Sequence, residues 1–367
     1  MAEASYRAPA AGATSLRRGW TTGTCATGAA TAAVSALLGL GWPDPVRVRL
    51  PRGGEANLPL AERSVEGGSA SAAIRKDAGD DPDVTHGCLV RVRARPLAPG
   101  SGVLFRAGDG VGTVTRAGLA IPPGEPAINP VPRAMMGDAV ARIAGLVGVP
   151  PDVELTVAIP GGAALAERTL NPRLGIANGL SILGTTGVVI PYSCSSWVHS
   201  IHRAIDVARA AGLEHLAACT GSTSEAFVRR QLALPDMALI DMGDFAGATL
   251  RYLRRHPVRR LTLAGGIGKL AKLGQGAMDL HSARSRLDGA RLAADLAAAG
   301  APPALLRALR SSAVLAGALE AREGFPLADV IAEHARSVAQ SVTGPLVVVE
   351  VLVVGRDGGL AGHAGAA

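Results

Sequence analysis

The 367 residues are 48% hydrophobic, enough for a large core, long enough to favour two domains, and too apolar for a disordered chain. Only ten are aromatic (four Phe, three Trp, three Tyr), which argues against a surface that stacks successive bases, while the net charge of +7 calls for an anionic partner such as nucleic acid, a membrane surface or a polycarboxylate metabolite. Residues 1–15 hold no apolar core of a signal peptide, and the most apolar run, 346–354, is interrupted by Glu350 and too short to span a bilayer, so a cytoplasmic protein is expected.

In chain order, Arg18-Gly-Trp-Thr-Thr-Gly-Thr-Cys-Ala-Thr-Gly (18–28) precedes a helix of small residues over 29–40. Residues 46–132 are rich in Gly, Pro and β-formers. Within them 46–50 and 89–94 alternate apolar and basic residues with the period of half-buried strands. A helix over 135–147 and a strand over 154–159 complete a first part of α+β character. From about residue 180 the rhythm changes. Helices over 197–211, 224–232, 246–255 and 269–278 alternate with strands over 216–219, 238–242 and 260–264. Each of those strands ends in a glycine-containing turn: Thr220-Gly-Ser, Gly243-Asp-Phe and Gly265-Gly-Ile-Gly. Such alternation predicts a Rossmann-like, doubly wound parallel sheet. The three turns leave the carboxyl ends of their strands, where open α/β sheets bind ligands. A helix over 327–341 and a strand over 345–354 end the fold. The expected organisation is two domains: an α+β domain over 1–178, rejoined by the segment 326–360, and the α/β domain over 179–305.

Four segments can carry chemistry. Thr21-Thr-Gly-Thr24 stands at a helix start, where threonine caps and free N–H groups attract anions; plain capping explains it about as well. Residues 159–162, 169–176 and 179–187 are dense in Gly and Thr, and Gly184-Thr-Thr-Gly187 can offer N–H groups and hydroxyls to an acidic or ribose-bearing ligand at a domain junction. Gly266, Gly268 and Ala271 fit G-x-G-x-x-A between a strand and a helix, a weak match in a chain with 47 glycines. Lysine is nearly absent: Lys76, Lys269 and Lys272 stand among 34 arginines, so a lysine pair on one helix face reads as a requirement for compact ammonium groups. Asp279-Leu-His-Ser282 offers an acid–base pair, although a lone His is more often structural. The arginines 251, 254, 255, 259 and 260 read as a solvated helix end rather than a nucleic-acid surface. Cys25, Cys88, Cys194 and Cys219 form no C-x-x-C pair and no zinc pattern, so no metal site is expected.

Six ordered segments together resemble the cobalt-precorrin-5B C1-methyltransferase family, over about residues 16–355. They are 18–27; Ile-Pro-Gly-Gly (159–162); Asn-Pro-Arg-Leu-Gly-Ile (171–176); Ser-Ile-Leu-Gly-Thr-Thr-Gly (181–187); Met-Gly-Asp-Phe (242–245); and Gly-Gly-Ile-Gly-Lys-Leu-Ala-Lys (265–272). His281-Ser282 follows them. The resemblance implies methyl transfer from S-adenosylmethionine to C1 of a cobalt-precorrin, giving cobalt-precorrin-6A. The substrate is then a polycarboxylate tetrapyrrole, with no role for nucleic acid or membrane. Self-association is compatible with the sequence, which offers no aromatic dimer anchor. The chemistry asks the protein to align two ligands rather than to supply a strong nucleophile. On this reading Thr21, Thr22 and Gly23, and likewise Gly184, Thr185, Thr186 and Gly187, bind substrate carboxylate or cofactor. Thr220, Asp244, Gly266, Gly268 and Ser282 line the α/β crevice, Lys269 anchors a carboxylate, and His281 orients substrate or moves a proton. The alternative from the residues alone is an NAD(P)-dependent oxidoreductase using the Gly266-Ile-Gly268 loop; a third is a non-enzymatic nucleic-acid or corrinoid-binding module.

Overall fold

A computed structural model describes residues 16–311 and 322–365. The chain forms two compact units, Met1–Cys194 and Ser195–Ala367, so the division falls later than residue 178.

In the first unit, β1 (Gly19–Trp20) leads directly into α1 (Thr22–Leu37). Fourteen of the 16 residues of α1 are buried, so the helix is covered all round rather than on one stripe. Its small side chains make this possible: a side chain at Gly28 would begin 2.9 Å from Leu58 Cδ1. The helix starts seven residues before the expected residue 29. Its threonines do not break it, because Thr27 and Thr31 hydroxyls donate to the carbonyls of Gly23 and Thr27 one turn back (2.8 and 2.7 Å). There follow the hairpin β2 (Val46–Arg49) and β3 (Glu55–Leu58), then β4 (Glu62–Glu66), β5 (Ser69–Arg75), β6 (Leu89–Pro96), β7 (Val103–Ala107) and β8 (Thr113–Val114). The unit is completed by α2 (Pro130–Val147), β9 (Val153–Ala158), α3 (Gly162–Ala166), β10 (Ile176–Ala177) and β11 (Val188–Val189). The main sheet has the order β4-β5-β6-β9-β7, antiparallel except for β9 with β7. Ile74, Val90, Val92, Leu155 and Val157 of this sheet share one core with Ala26, Ala29, Ala30 and Ala33 of α1 and with Met136 and Val140 of α2. Beside it, β1 pairs antiparallel with β11, which brings the start of α1 to the 183–187 loop.

The second unit takes up α4 (Cys194–Ala210) from Ser195 onward. It continues with β12 (His215–Cys219), α5 (Ser222–Gln231), β13 (Leu239–Asp241), α6 (Ala246–Arg255), β14 (Arg260–Gly265) and α7 (Ile267–Gly274). It ends with α8 (Gly289–Ala298), α9 (Pro303–Ser311), α10 (Leu327–Thr343), β15 (Val348–Val354) and β16 (Leu360–Ala364). Its sheet has the order β13-β12-β14-β15-β16; the first four strands are parallel and β16 is antiparallel. Alternate residues divide between two cores. Leu216, Ala218, Leu261, Leu263, Val349 and Val351 pack with α4, α6, α7 and α10. Ala217, Cys219, Ala264 and Leu352 pack under Phe227 and Val228 of α5 on the opposite face. The expectation that segment 326–360 rejoins the first domain is therefore corrected. Val348–Val354 pairs along β14, from Arg260↔Val348 to Gly265↔Val353. Its side chains are apolar on both faces apart from Glu350, as a central parallel strand requires.

Candidate functional site

In the first unit the Thr-Thr-Gly-Thr and Gly-Thr-Thr-Gly segments lock together. Thr21 caps α1, its Oγ1 accepting the Thr24 N–H at 3.2 Å. Thr22 Oγ1 accepts the Leu183 N–H at 3.0 Å and faces the carbonyls of Ser181 and Leu183 at 3.3 Å. Gly23 N–H donates to Leu183 O (3.0 Å), Thr21 N–H to Gly187 O (3.2 Å) and the Thr24 hydroxyl to Gly187 O (2.7 Å). Thr21, Thr22 and Gly23, expected to bind ligand, therefore have partners within the protein. The buried Thr21 and Thr22 hydroxyls and the Thr21 and Gly23 N–H groups hold the helix cap and the loop in place. Gly184 explains itself in the same way: at φ +132° it lies so close to Thr21 that an added Cβ would come 2.3 Å from Thr21 Oγ1. Gly187 closes against Leu50 and Pro51. What this scaffold leaves outward is Leu183 and Thr185, with Thr186 folded onto Val188 O (3.0 Å). The neighbours Arg18, Arg49 and Arg52 are exposed.

The sequence reading passes over a second feature of this unit, the loop between β5 and β6. Lys76 is fully buried and ion-paired with Asp83 at 2.7 Å. Asp83 also accepts the Thr85 N–H (2.8 Å) and hydroxyl (2.6 Å). Burial alone would raise the Asp83 carboxyl; the Lys76 ammonium and these hydrogen bonds outweigh it and hold it below the ordinary range. Asp81 is pushed up by burial, although it accepts the Tyr192 N–H at 2.8 Å. Tyr192 itself has φ +56°, uncommon for a bulky residue. Cys25 lies near the Lys76 charge, yet burial pushes its thiol up to about 12. The signal was present: one of three lysines stands beside an Asp-Ala-Gly-Asp-Asp-Pro-Asp run at 77–83.

In the second unit the glycine turns meet at the carboxyl edge of the sheet, as expected. The adjacent strands β12 and β14 run on to opposite sides, so the turns after Cys219 and Gly265 flank a topological switch point. Thr220 is buried and abuts Gly265, where an added Cβ would come 2.7 Å from its Oγ1. Gly221, Gly266 and Gly268 differ. None lies in the left-handed region, and a side chain added at any of them would meet no protein atom within 4 Å. Gly221 and Gly266 are the N-caps of α5 and α7, a place that favours glycine, and all three positions leave room for a ligand to approach the backbone. Lys269, expected to anchor a substrate carboxylate, has protein partners in this structure, with its side chain 38% exposed. Its ammonium donates to Thr220 O at 2.7 Å and lies 3.1 Å from Asp244 Oδ1. Asp244 Oδ1 is buried, with this ion-pair neighbour but no hydrogen bond. Lys272 donates to Leu280 O at 3.0 Å, and burial holds its ammonium below the usual range. Both lysines thus staple loops to the sheet edge. The Leu280 N–H to Asp244 O bond (2.8 Å) brings His281 and Ser282 to the same edge, with Ser282 exposed. His281 Nδ1 accepts the Ala283 N–H at 3.2 Å, which in the neutral ring leaves the proton on Nε2. Asp279 is tied to Arg284. Among the described residues no group of His, Cys, Asp and Glu is arranged to hold a metal ion, and no helix is long and apolar enough to cross a membrane.

A family model described as CbiD matches residues 10–191, and one described as CbiD, C-terminal domain, matches residues 279–365. A protein of Paramagnetospirillum magneticum named cobalt-precorrin-5B C(1)-methyltransferase is 56% identical over 350 residues, 95% of this chain and 98% of its own. Proteins of the same name from Bradyrhizobium sp. and Brucella anthropi are 54% and 52% identical, over 95% and 94% of this chain and 93% and 95% of theirs. A crystal structure of the cobalamin biosynthesis protein (cbiD) from Archaeoglobus fulgidus matches at 26% identity and a TM-score of 0.39, covering 73% of this chain and 83% of that one.

Proposed function

The chain belongs to the CbiD family, and from that premise we propose that it methylates C1 of cobalt-precorrin-5B, giving cobalt-precorrin-6A, with S-adenosylmethionine as donor. The observation that carries the reading is the 52–56% identity to relatives of that name over nearly the whole chain.

The residues fit the task. The donor supplies an activated methyl group and its own leaving group. The protein's part is to hold two ligands, exclude water and set an angle of approach. We read the second unit as a Rossmann-like domain whose switch-point crevice, lined by Thr220, Asp244, Gly266, Gly268, His281 and Ser282, takes one ligand. The first unit's 184–187 loop takes the other. There the buried threonines hold the loop in place, Thr185 offers its hydroxyl, and the exposed Arg18, Arg49 and Arg52 supply the positive charge that propionate and acetate groups need. In the second unit His281 stands at the same sheet edge, as a residue that orients a ligand.

The oxidoreductase alternative loses its ground in the topology. A dinucleotide fingerprint belongs to the first strand–helix turn of such a sheet, whereas Gly266-Ile-Gly268 follows β14, the third parallel strand in chain order. Incubating the protein with methyl-deuterated S-adenosylmethionine and cobalt-precorrin-5B tests the proposal. The tetrapyrrole gains one labelled methyl by mass spectrometry; a tetrapyrrole of unchanged mass would refute it.

A further inference from the structure

The charges at the carboxyl edge of the second unit's sheet distinguish between the two ligands. Lys269 is its obvious cation, and it is committed to Thr220 O and Asp244. A carboxylate arriving here meets the Asp244 carboxylate beside a lysine whose charge Asp244 already balances. Asp244 itself is half-used. Oδ1 is buried against Lys269, no protein donor among the described residues reaches Oδ2, and the side chain remains 21% exposed. An acceptor of this kind suits hydroxyl donors, not acids.

Its position adds to this. β13 is the strand next to β12 on the outer side of the switch point, and Asp244 follows the Gly221 turn by 23 residues in the sequence. An acidic residue at that place in a doubly wound sheet accepts hydrogen bonds from a nucleoside's ribose. Trp197 stands beside it, the one aromatic among the large, exposed apolar side chains of the described residues. Its indole N–H donates to Asp241 O at 3.3 Å, and it lies 6.4 Å from the Phe245 ring, centroid to centroid. Gly243, at φ +55°, turns the chain directly beneath it; a side chain there would begin 3.5 Å from the indole nitrogen. An exposed, anchored indole next to a ribose acceptor is a platform for a base.

We infer that the end of β13 is a nucleoside subsite, with Asp244 accepting the ribose hydroxyls of the adenosyl donor and Trp197 lying against its base. The inference rests on the methyl-transfer reading and assigns the donor to the second unit and the polycarboxylate to the first. Lys269 is a positioning residue: it fixes the inner oxygen of Asp244 so that the outer one points to the ligand.

Isothermal titration of the full-length protein with S-adenosylhomocysteine, and with its analogue lacking both ribose hydroxyls, tests this without turnover. Wild type binds the analogue about tenfold more weakly, since hydrogen bonds to a charged acceptor are lost. Asp244→Asn binds S-adenosylhomocysteine about tenfold more weakly than wild type and scarcely distinguishes the two ligands. Trp197→Leu weakens both by about tenfold and leaves their ratio unchanged. A purely structural role for Asp244 would weaken both ligands equally in Asp244→Asn, which overturns the ribose assignment. If Asp244→Asn fails to fold, Trp197→Leu still decides, because it removes an exposed ring: unchanged affinity there overturns the subsite. Tight binding of S-adenosylhomocysteine with both variants unaffected defeats the inference and leaves the methyltransferase reading intact. No binding to wild type defeats the donor assignment itself.

Discussion

Replacing Lys76 by methionine removes one charge from a pair that water scarcely reaches, since the Lys76 side chain is 1% exposed and Asp83 25%. Breaking a buried pair by removing one partner costs about 3–5 kcal/mol, because the other charge is left without compensation. Asp83 keeps the Thr85 N–H and hydroxyl and a quarter of its surface in water, which places the cost near the lower end, about 3 kcal/mol. For a unit of this size each kcal/mol lowers the midpoint by roughly 2–4 °C, so its transition falls by roughly 6–12 °C. Differential scanning calorimetry is the assay, because two units need not melt together. Lys76→Met combined with Asp83→Asn removes both charges and recovers at least half of the loss. A single variant melting within a degree of wild type, or a double variant no better than the single, would refute the argument that this pair holds the β5–β6 loop.

Three further outcomes follow from the geometry. Gly184→Ala places a Cβ against Thr21 at a φ of +132° and lowers the midpoint of the same transition by the equivalent of about 2 kcal/mol or more; an unchanged midpoint would mean that the loop is not seated on the α1 cap. Glu350 is pushed up by burial, but the Thr262 hydroxyl, Arg260 and His363 outweigh this and hold it below the ordinary carboxylate value. Its contribution is therefore complete above the unfolded value and is lost as pH falls through the lower folded one. The second unit's midpoint accordingly drops on the acid side of about pH 4.5, and Glu350→Gln flattens that limb; parallel wild-type and variant curves would contradict the assignment. Cys25, buried and pushed up to about 12, remains a thiol at pH 8 and escapes iodoacetamide in the native protein, as peptide mass spectrometry will show; ready alkylation would mean that α1 is not buried as described.

The sequence carried much of the second unit openly. Short apolar runs such as Leu261-Thr-Leu263 end in glycine turns and are followed by helical periodicity, which is the signature of parallel strands with crossovers. The placement of Thr220, Asp244 and Gly266 at one edge followed from that alone. Two features were hidden for physical reasons. The run at 348–354 is apolar on both faces, and that pattern fits a central strand of any sheet, so its partner was not legible; the pairing with β14 came from tertiary structure. The start of α1 was hidden because Thr22-Gly-Thr24 is poor helix material by propensity, and burial among β-strands of the first unit overrides that preference. The surroundings of Thr21, Thr22 and Lys269 were hidden by the same limitation. A hydroxyl or an ammonium looks unengaged in a sequence, and only the fold shows the Thr24 N–H at Thr21, the Leu183 N–H at Thr22, and Thr220 O and Asp244 at Lys269.

The position of the transferred carbon tests the central claim most directly. With ¹³C-methyl S-adenosylmethionine and cobalt-precorrin-5B as substrates, the product's NMR spectrum locates the new methyl group. The account predicts a single enriched methyl attached to C1 of the macrocycle. Enrichment at another ring carbon, or none despite bound donor, would contradict it.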